Sequence, residues 1–279
     1  MTEVRQNALA ETDGALSVER FGSVATIVID NQQRRNAMTK HMWQQFEPIL
    51  DGLGADETVK VVIVRGAGNN FSAGADISDL KDILLDPGTG RHDGGHVTAG
   101  ENALARFHKP TIAAIDGYCI GGGWQIAGAC DIRIASDRAT FGITPAKVGI
   151  VYPLSGIKRL VQLAGPATAK YLLFTGDFVD ARDAMALGLL ARIFPQTEFW
   201  TEVTDFAQRL ATRSQLSVQA MKEIVDVIAE GTNNLTERNV AWQREMVTSG
   251  EPEIGIQAFL NKEAPVFRWT GSDSQLFGI

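Results

Sequence analysis

Two short stretches of small residues constrain this chain more than anything else in it. Phe71-Ser-Ala-Gly-Ala-Asp-Ile77 and Asp116-Gly-Tyr-Cys-Ile-Gly-Gly-Gly123 each come just after an apolar run that reads as a strand. A backbone N–H approaches a ligand oxygen only where side chains are tiny and the chain turns sharply, and Gly and Ala permit both. After Gly123 comes Trp124-Gln-Ile-Ala-Gly-Ala-Cys130, which reads as a helix. The second stretch therefore aims N–H groups and a positive helix end at the same oxygen as the first.

The surrounding pattern predicts an α/β core. Apolar runs at 24–29, 59–64, 111–115 and 132–135 are bounded by Gly, Asp or Asn, as strand ends tend to be. Between them, helices are expected at 40–53, 79–85, 101–108 and 123–129. The run 59–64 has little polar alternation, which fits a strand covered on both faces. From about residue 155 the pattern is almost wholly helical, with Gly165-Pro166 placing Pro at a helix start and Asp180-Ala-Arg-Asp183 reading as an N-cap with an acidic first turn. Later helices are expected at 199–213, 217–230 and 235–248. Leu216, Val218, Met221, Ile224, Val225 and Ile228 recur at helical spacing, a stripe that serves either as core or as an oligomer face. The Gly-rich stretch 87–100 reads as a mobile loop beside the site.

Charge and cysteine usage exclude several classes. A net charge of −7 is wrong for a nucleic-acid surface, which needs clustered Lys and Arg. Cys119 and Cys130 lie in apolar surroundings without metal-ligand spacing and read as buried thiols, which points to a reducing compartment. No apolar run approaches the roughly 20 residues that cross a bilayer, and residues 1–15 have no apolar core. A cytoplasmic protein with a short disordered leader is expected, with no membrane or nucleic-acid partner. There is no Walker loop, no GxGxxG after a strand and no GxSxG elbow.

Several ordered motifs resemble the enoyl-CoA hydratase/isomerase superfamily, the crotonases, over about residues 16–267. They are Asn36-Ala-Met38, the two small-residue stretches, Lys109-Pro-Thr-Ile, Cys130-Asp-Ile-Arg-Ile-Ala135 and Phe174-Thr-Gly-Asp177. The resemblance implies a crotonase-like spiral of ββα units over 16–200 and a helical C-terminal region over 201–279 that builds trimers, commonly paired into hexamers. It implies an acyl-CoA thioester substrate, with coenzyme A as part of the substrate and no separate cofactor or metal. The backbone N–H groups of Ala75 and Gly122 would hold the thioester oxygen as an enolate forms. Asn36, Ala37, Ala73, Gly74, Asp76, Ile77 and Gly121 would line the coenzyme A channel. Lys262, in Phe259-Leu-Asn-Lys262, resembles a lysine that approaches the coenzyme A phosphates, with a solvated lysine as the alternative.

The chain departs from the hydratase pattern at the proton-transfer positions. Hydratases of the family carry two glutamates that hold and activate water. Here those positions hold Gln125 and Pro145, and neither side chain shuttles a proton at neutral pH. The stretch Thr144-Pro-Ala-Lys-Val-Gly-Ile-Val-Tyr152 resembles a segment of methylmalonyl-CoA decarboxylases. That resemblance would place Tyr152 at a substrate carboxylate, while a packed aromatic with a satisfied hydroxyl is the alternative. The readings left open are an enolate-forming lyase or isomerase, a malonyl-type decarboxylase, and an acyl-CoA-binding relative of weak activity. Among Asp79, Asp82, Asp86, Asp93 and Glu101, one acid could swing into the pocket, although each by itself reads as a solvated surface charge. His92 and His96 have metal-like spacing, but the glycines between them argue against a metal site.

Overall fold

The computed structural model describes residues 14–86, 88–231 and 234–271. A six-stranded sheet runs in the order β1 (Ala15–Phe21), β2 (Val24–Asp30), β3 (Val61–Gly66), β4 (Thr111–Ile115), β6 (Ile132–Ser136), β9 (Arg192–Phe194). Only β1 is antiparallel to its neighbour; Val24 of β2 sits opposite Val61, Val62 opposite Thr111, and Ile112 opposite Ile132 in parallel register. A second sheet holds β5 (Tyr118–Ile120), β7 (Thr140–Gly142) and β8 (Phe178–Asp180).

The absence of polar alternation in β3 has its cause in burial on both faces. Val61 and Ile63 pack with Val24, Ile112 and Ile134 against Phe199, Val203 and Ala207 of helix α7 (Phe199–Ala211). Val62 and Val64 point the other way, into the main core with Trp43, Phe46 and Leu50 of α1 (Lys40–Ala55). Helix α1 begins at Thr39, whose side chain accepts from the Met42 N–H, and buries Met42, Trp43, Phe46, Leu50 and Leu53 at three- and four-residue spacing. Its far end is closed by Lys109, whose buried ammonium donates to the Leu53 and Asp56 carbonyls.

Helices α2 (Leu80–Leu84) and α3 (Gly95–Arg106) follow the first small-residue stretch, and α4 (Gly122–Ala129), every residue of which is buried, follows the second. The stretch expected as a mobile loop over 87–100 is therefore helical in its second half. Gly100 lets α3 close on α1, since a Cβ there would stand 3.1 Å from Trp43. Helix α5 (Leu154–Thr175) breaks at Gly165 (φ 76°), and Pro166 restarts it as expected. Asp180 caps α6 (Ala181–Ala186) by accepting from the Asp183 N–H.

Beyond α7, α8 (Gln215–Glu230), α9 (Leu235–Ser249) and α10 (Glu251–Asn261) form a helical arm. The predicted apolar stripe of α8 does not serve as core within the chain. Leu216 is buried, but Met221, Val225 and Ile228 are exposed, and the inner face carries Gln215, Gln219 and Ala220 instead. The leader expected over 1–15 lies outside the described residues as far as residue 13, and Ala15 already opens β1. The last eight residues, 272–279, also lie outside. No helix among the described residues is long and apolar enough to cross a membrane, and no group of His, Cys, Asp or Glu there could hold a metal ion.

Candidate active site

Because β3 and β4 are adjacent and parallel, the segments that leave their C-terminal ends emerge side by side. Backbone hydrogen bonds then join three segments. Ser72 N–H donates to the Tyr118 carbonyl and Ile120 N–H to the Ser72 carbonyl, while Met38 N–H donates to Gly74 and Asp76 N–H to Met38. In a parallel bridge alternate residues face the partner, so the residue between, Ala75, turns its N–H away from Met38. The Gly74 N–H goes to Ser72 Oγ, and the Gly121 N–H goes to the Gly142 carbonyl.

What remains is one N–H from each stretch. Among the described residues no acceptor reaches Ala75 N–H or Gly122 N–H. Gly122 opens α4, where first-turn N–H groups have no partner within the helix. The two groups are close: a Cβ placed on Gly122 would stand 3.0 Å from Ala75 N, and one placed on Gly74 would stand 3.0 Å from Gly122 N. The backbone also demands glycine at Gly74 (φ 101°) and Gly121 (φ 54°, ψ −111°), conformations that side chains disfavour.

The segment 35–38 is held by Asn36, which is fully buried and has its side chain wholly committed. Its carbonyl accepts from Asn31 N–H, and its amide donates to the Ala67 and Asn70 carbonyls. Those bonds hold Arg35 and Asn36 in consecutive left-handed conformations. Ala37 and Ala73 contribute backbone: Ala37 accepts from Asn31 Nδ2, and Ala73 N–H donates to Arg35. Asp76 caps the short turn at 77–79 and pairs with Arg34 at 2.6 Å. Burial alone would raise its carboxyl pKa, but hydrogen bonds from Ser78 and Arg34 outweigh that and hold it below the usual value. Ile77, the residue after it, is exposed.

Gln125 is buried one turn into α4, and its amide donates to Glu101 at 3.1 Å. Glu101 is 0% exposed. It also accepts from Ser155 Oγ at 2.7 Å and pairs with Arg159 at 3.0 Å. Its reading as a solvated surface charge is overturned: Glu101 lies on the inner face of α3 with Val97, Gly100 and Leu104. Asp82 and Asp93 are exposed, Asp79 and Asp86 are half-buried, and none of these four joins Gln125. Tyr152 is buried, and its hydroxyl donates to the Gly121 carbonyl at 2.9 Å. Burial pushes the phenol well above its ordinary pKa, so the hydroxyl stays protonated. Burial likewise pushes the Cys119 thiol up and that of Cys130 to about 12, so neither is a nucleophile. Pro145 opens a 3-10 turn, and Lys262 stands apart, exposed at the left-handed end of α10.

Sequence reasoning assigned no role to Ser72, Ser155, Arg159 or Trp43. Ser72 Oγ donates to the Asn36 carbonyl and accepts the Gly74 N–H, fixing the turn from both sides. The signal for Glu101 was its place in the apolar spacing 97, 100/101, 104, which a helix begun at residue 101 conceals.

A two-sheet α/β spiral with a helical arm, whose parallel strand ends present a pair of backbone donors, defines a protein of crotonase type. The sequence profile described as "Enoyl-CoA hydratase/isomerase" matches residues 19–270, and the chain belongs to that family. A crystal structure of an enoyl-CoA hydratase/isomerase family member is 43% identical, with a TM-score of 0.87, covering 93% of this chain and 98% of that one. The short-chain-enoyl-CoA hydratase of Clostridium acetobutylicum is 32% identical over 75% of this chain and 80% of its own length. The crotonyl-CoA hydratase of Syntrophomonas wolfei is 30% identical over 90% of this chain and 96% of its own length.

Proposed function

We propose that the protein binds an acyl-CoA thioester with its carbonyl oxygen between Ala75 N–H and Gly122 N–H and stabilises the enolate formed there, as a lyase or isomerase. The observation that carries this reading is the pair of adjacent N–H groups without acceptors, one from each small-residue stretch. Both donors are set by backbone bonds before substrate arrives, so no reorganisation is needed as negative charge develops on the oxygen. The positive end of α4 acts on the same atom. Tyr152 supports the Gly121 carbonyl one residue before the donor, and Asn36 and Ser72 brace the other side.

Proton handling differs from a pair of catalytic glutamates. Glu101 receives three donors, from Gln125, Ser155 and Arg159, and its part in this reading is to orient the Gln125 amide. No hydrogen bond from the described residues occupies the Gln125 carbonyl oxygen, which is free to accept one from substrate or water. Decarboxylation of a malonyl-type ester would ask Tyr152 to meet the substrate carboxylate. Its commitment to Gly121, and the engagement of Arg159 by Glu101, both favour substrates without a free carboxylate. The exposed Met221, Val225, Ile228 and Phe259 of the arm support assembly into a homo-oligomer, in which Lys262 would approach a neighbouring subunit's coenzyme A.

A titration with acetoacetyl-CoA tests the enolate directly, because its enolate absorbs in the near ultraviolet. Bound ester is expected to ionise at a lower pH than free ester. Binding without an enolate band refutes the reading, and turnover of crotonyl-CoA, a 3-enoyl-CoA and methylmalonyl-CoA then separates hydration, isomerisation and decarboxylation.

A further inference from the structure

One buried donor at the site has no use within the chain. Trp43 is 1% exposed, and its indole Nε1 has no hydrogen-bond partner. The other two buried unpartnered side-chain atoms among the described residues are oxygens of Gln215 and Glu251, whose remaining polar atoms are engaged. Tryptophan has a single donor and nothing else, so the whole polar capacity of Trp43 is idle. Native structures rarely leave such a group buried and unpaired without a reason.

The position of the ring supplies the reason. Its Cε3 edge would touch a Cβ on Gly100 at 3.1 Å, and its opposite edge, at Cζ2, would touch a Cβ on Gly122 at 3.1 Å. The indole thus spans from α3 to the head of α4, and two glycines admit it. In an indole the N–H and the Cζ2–H leave the same edge, so the edge that meets Gly122 is the one that carries the idle donor. The same Gly122 position stands 3.0 Å from Ala75 N.

Given the acyl-CoA reading above, on which this step rests, we infer that Trp43 N–H is a recognition donor for the acyl group. The site takes thioesters that carry a neutral oxygen acceptor, a keto or hydroxyl group, one or two carbons beyond the α-carbon. A carboxylate is a poorer match, because an indole N–H is a neutral donor and Arg159 is already paired with Glu101. A saturated acyl chain would bury against this edge and leave the N–H unpaired, which is how a polar pocket rejects an apolar analogue.

The test compares wild type with Trp43→Phe, which keeps an aromatic ring and deletes the donor. Dissociation constants are measured by calorimetry for 4-oxopentanoyl-CoA and 3-hydroxybutanoyl-CoA, for the saturated esters pentanoyl-CoA and butanoyl-CoA, and for succinyl-CoA. The wild type is expected to prefer each oxygenated ester over its saturated partner by about tenfold, the worth of one neutral hydrogen bond. Trp43→Phe is expected to bring the ratio of the two affinities to within about twofold of one, whatever the loss common to both ester types. Equal affinities in the wild type, an equal loss for both ester types in the variant, or a preference for succinyl-CoA overturns the inference. Failure of every ester to bind the wild type would instead bring down the acyl-CoA reading beneath it. Should Trp43→Phe not fold, the indole N–H resonances of the wild type serve instead. The chain has five tryptophans, and Phe substitution of Trp124, Trp200, Trp242 and Trp269 in turn assigns the Trp43 signal by elimination. That signal must shift downfield with 4-oxopentanoyl-CoA and not with pentanoyl-CoA; an identical response to both overturns the inference.

Discussion

Substituting Gly122 by alanine isolates the proposed donor pair from the rest of the fold. Gly122 has helical rather than left-handed geometry, so the backbone accepts an alanine without strain. The added methyl would stand 3.0 Å from Ala75 N, 3.1 Å from Trp43 Cζ2 and 3.5 Å from the Gly74 carbonyl carbon. Two of those contacts are tight enough that neighbours must give by a few tenths of an ångström, a cost of about 1–2 kcal/mol. Replacing glycine in a helix returns up to about 1 kcal/mol, so stability should change by no more than about 1–2 kcal/mol. Activity should change far more, because the methyl fills the place where the substrate oxygen must sit. Loss of one such donor typically costs about 3 kcal/mol, or a factor of roughly 10² to 10³ in kcat. The control is Gly128→Ala on the same helix, whose nearest contact, Arg159 Cδ at 3.4 Å, is an ordinary one. Urea unfolding, kcat, and the acetoacetyl-CoA enolate band are measured for all three proteins. If Gly122→Ala retains kcat and the enolate band within about threefold of wild type, the substrate oxygen does not lie between Ala75 and Gly122, and the proposal fails.

Three further perturbations test the supports of the site. Tyr152→Phe deletes the bond to Gly121 and should cost about 1 kcal/mol in urea unfolding with a less than tenfold fall in kcat; a hundredfold fall at unchanged stability would assign the hydroxyl to chemistry. Glu101→Gln removes the wholly buried member of an ion pair, and because the Arg159 side chain is 24% exposed and can recruit water, the cost should fall at about 2–4 kcal/mol. Unfolding that does not respond to Glu101→Gln would refute the network. Lys109 provides a pH test: burial lowers its pKa from 10.5 to about 8, against the opposing pull of Asp56 and Glu57. The unfolded chain then binds more protons than the folded one between those values, so the lysine destabilises the fold below pH 8 and ceases to do so as pH rises toward 10.5. The stability of wild type minus that of Lys109→Met should climb by up to about 3 kcal/mol across that window; a flat difference would show that the two carbonyl bonds, not burial, dominate.

How much of this was legible in the sequence follows from the range of the forces involved. The strands at 24–29, 59–64, 111–115 and 132–135 appear within a residue or two of expectation, because β-branched runs and their polar ends act locally. The cap at Asp180 and the break at Gly165 are equally local, since each depends on one residue's own preferences. The outward turn of Met221, Val225 and Ile228 was not decidable, because helical periodicity states that a face is apolar and not what covers it. The helix from Gly95 was concealed by its glycines, which lower helix propensity in isolation. In the fold they are required by the close approach of Trp43 at Gly100 and of the Ile83 and Leu85 carbonyls at Gly95. Contacts between segments distant in the chain decide such positions.

The site shows the same division, and the division has a chemical meaning. Small residues after strands marked Ala75 and Gly122 because a backbone donor needs an empty neighbourhood, and emptiness is visible as composition. What surrounds the donors is a set of long-range pairings, Gln125 with Glu101 across 24 residues and Glu101 with Arg159 across 58, that no local window contains. The carboxylate missing from position 125 is therefore not missing from the site: Glu101 supplies one from α3, already bound to an arginine, a serine and the amide in the usual glutamate's place. In the proposed reading a carboxylate so engaged positions the Gln125 amide, which leaves catalysis to the backbone donors and substrate choice to the groups still unpaired. Among the groups described, those are the Gln125 carbonyl oxygen and the Trp43 N–H, an acceptor and a donor supplied by α4 and by the neighbouring α1. A substrate that satisfies both must itself carry a polar group beyond the thioester, so specificity at this site is expected to follow the oxygen pattern of the acyl group more closely than its length.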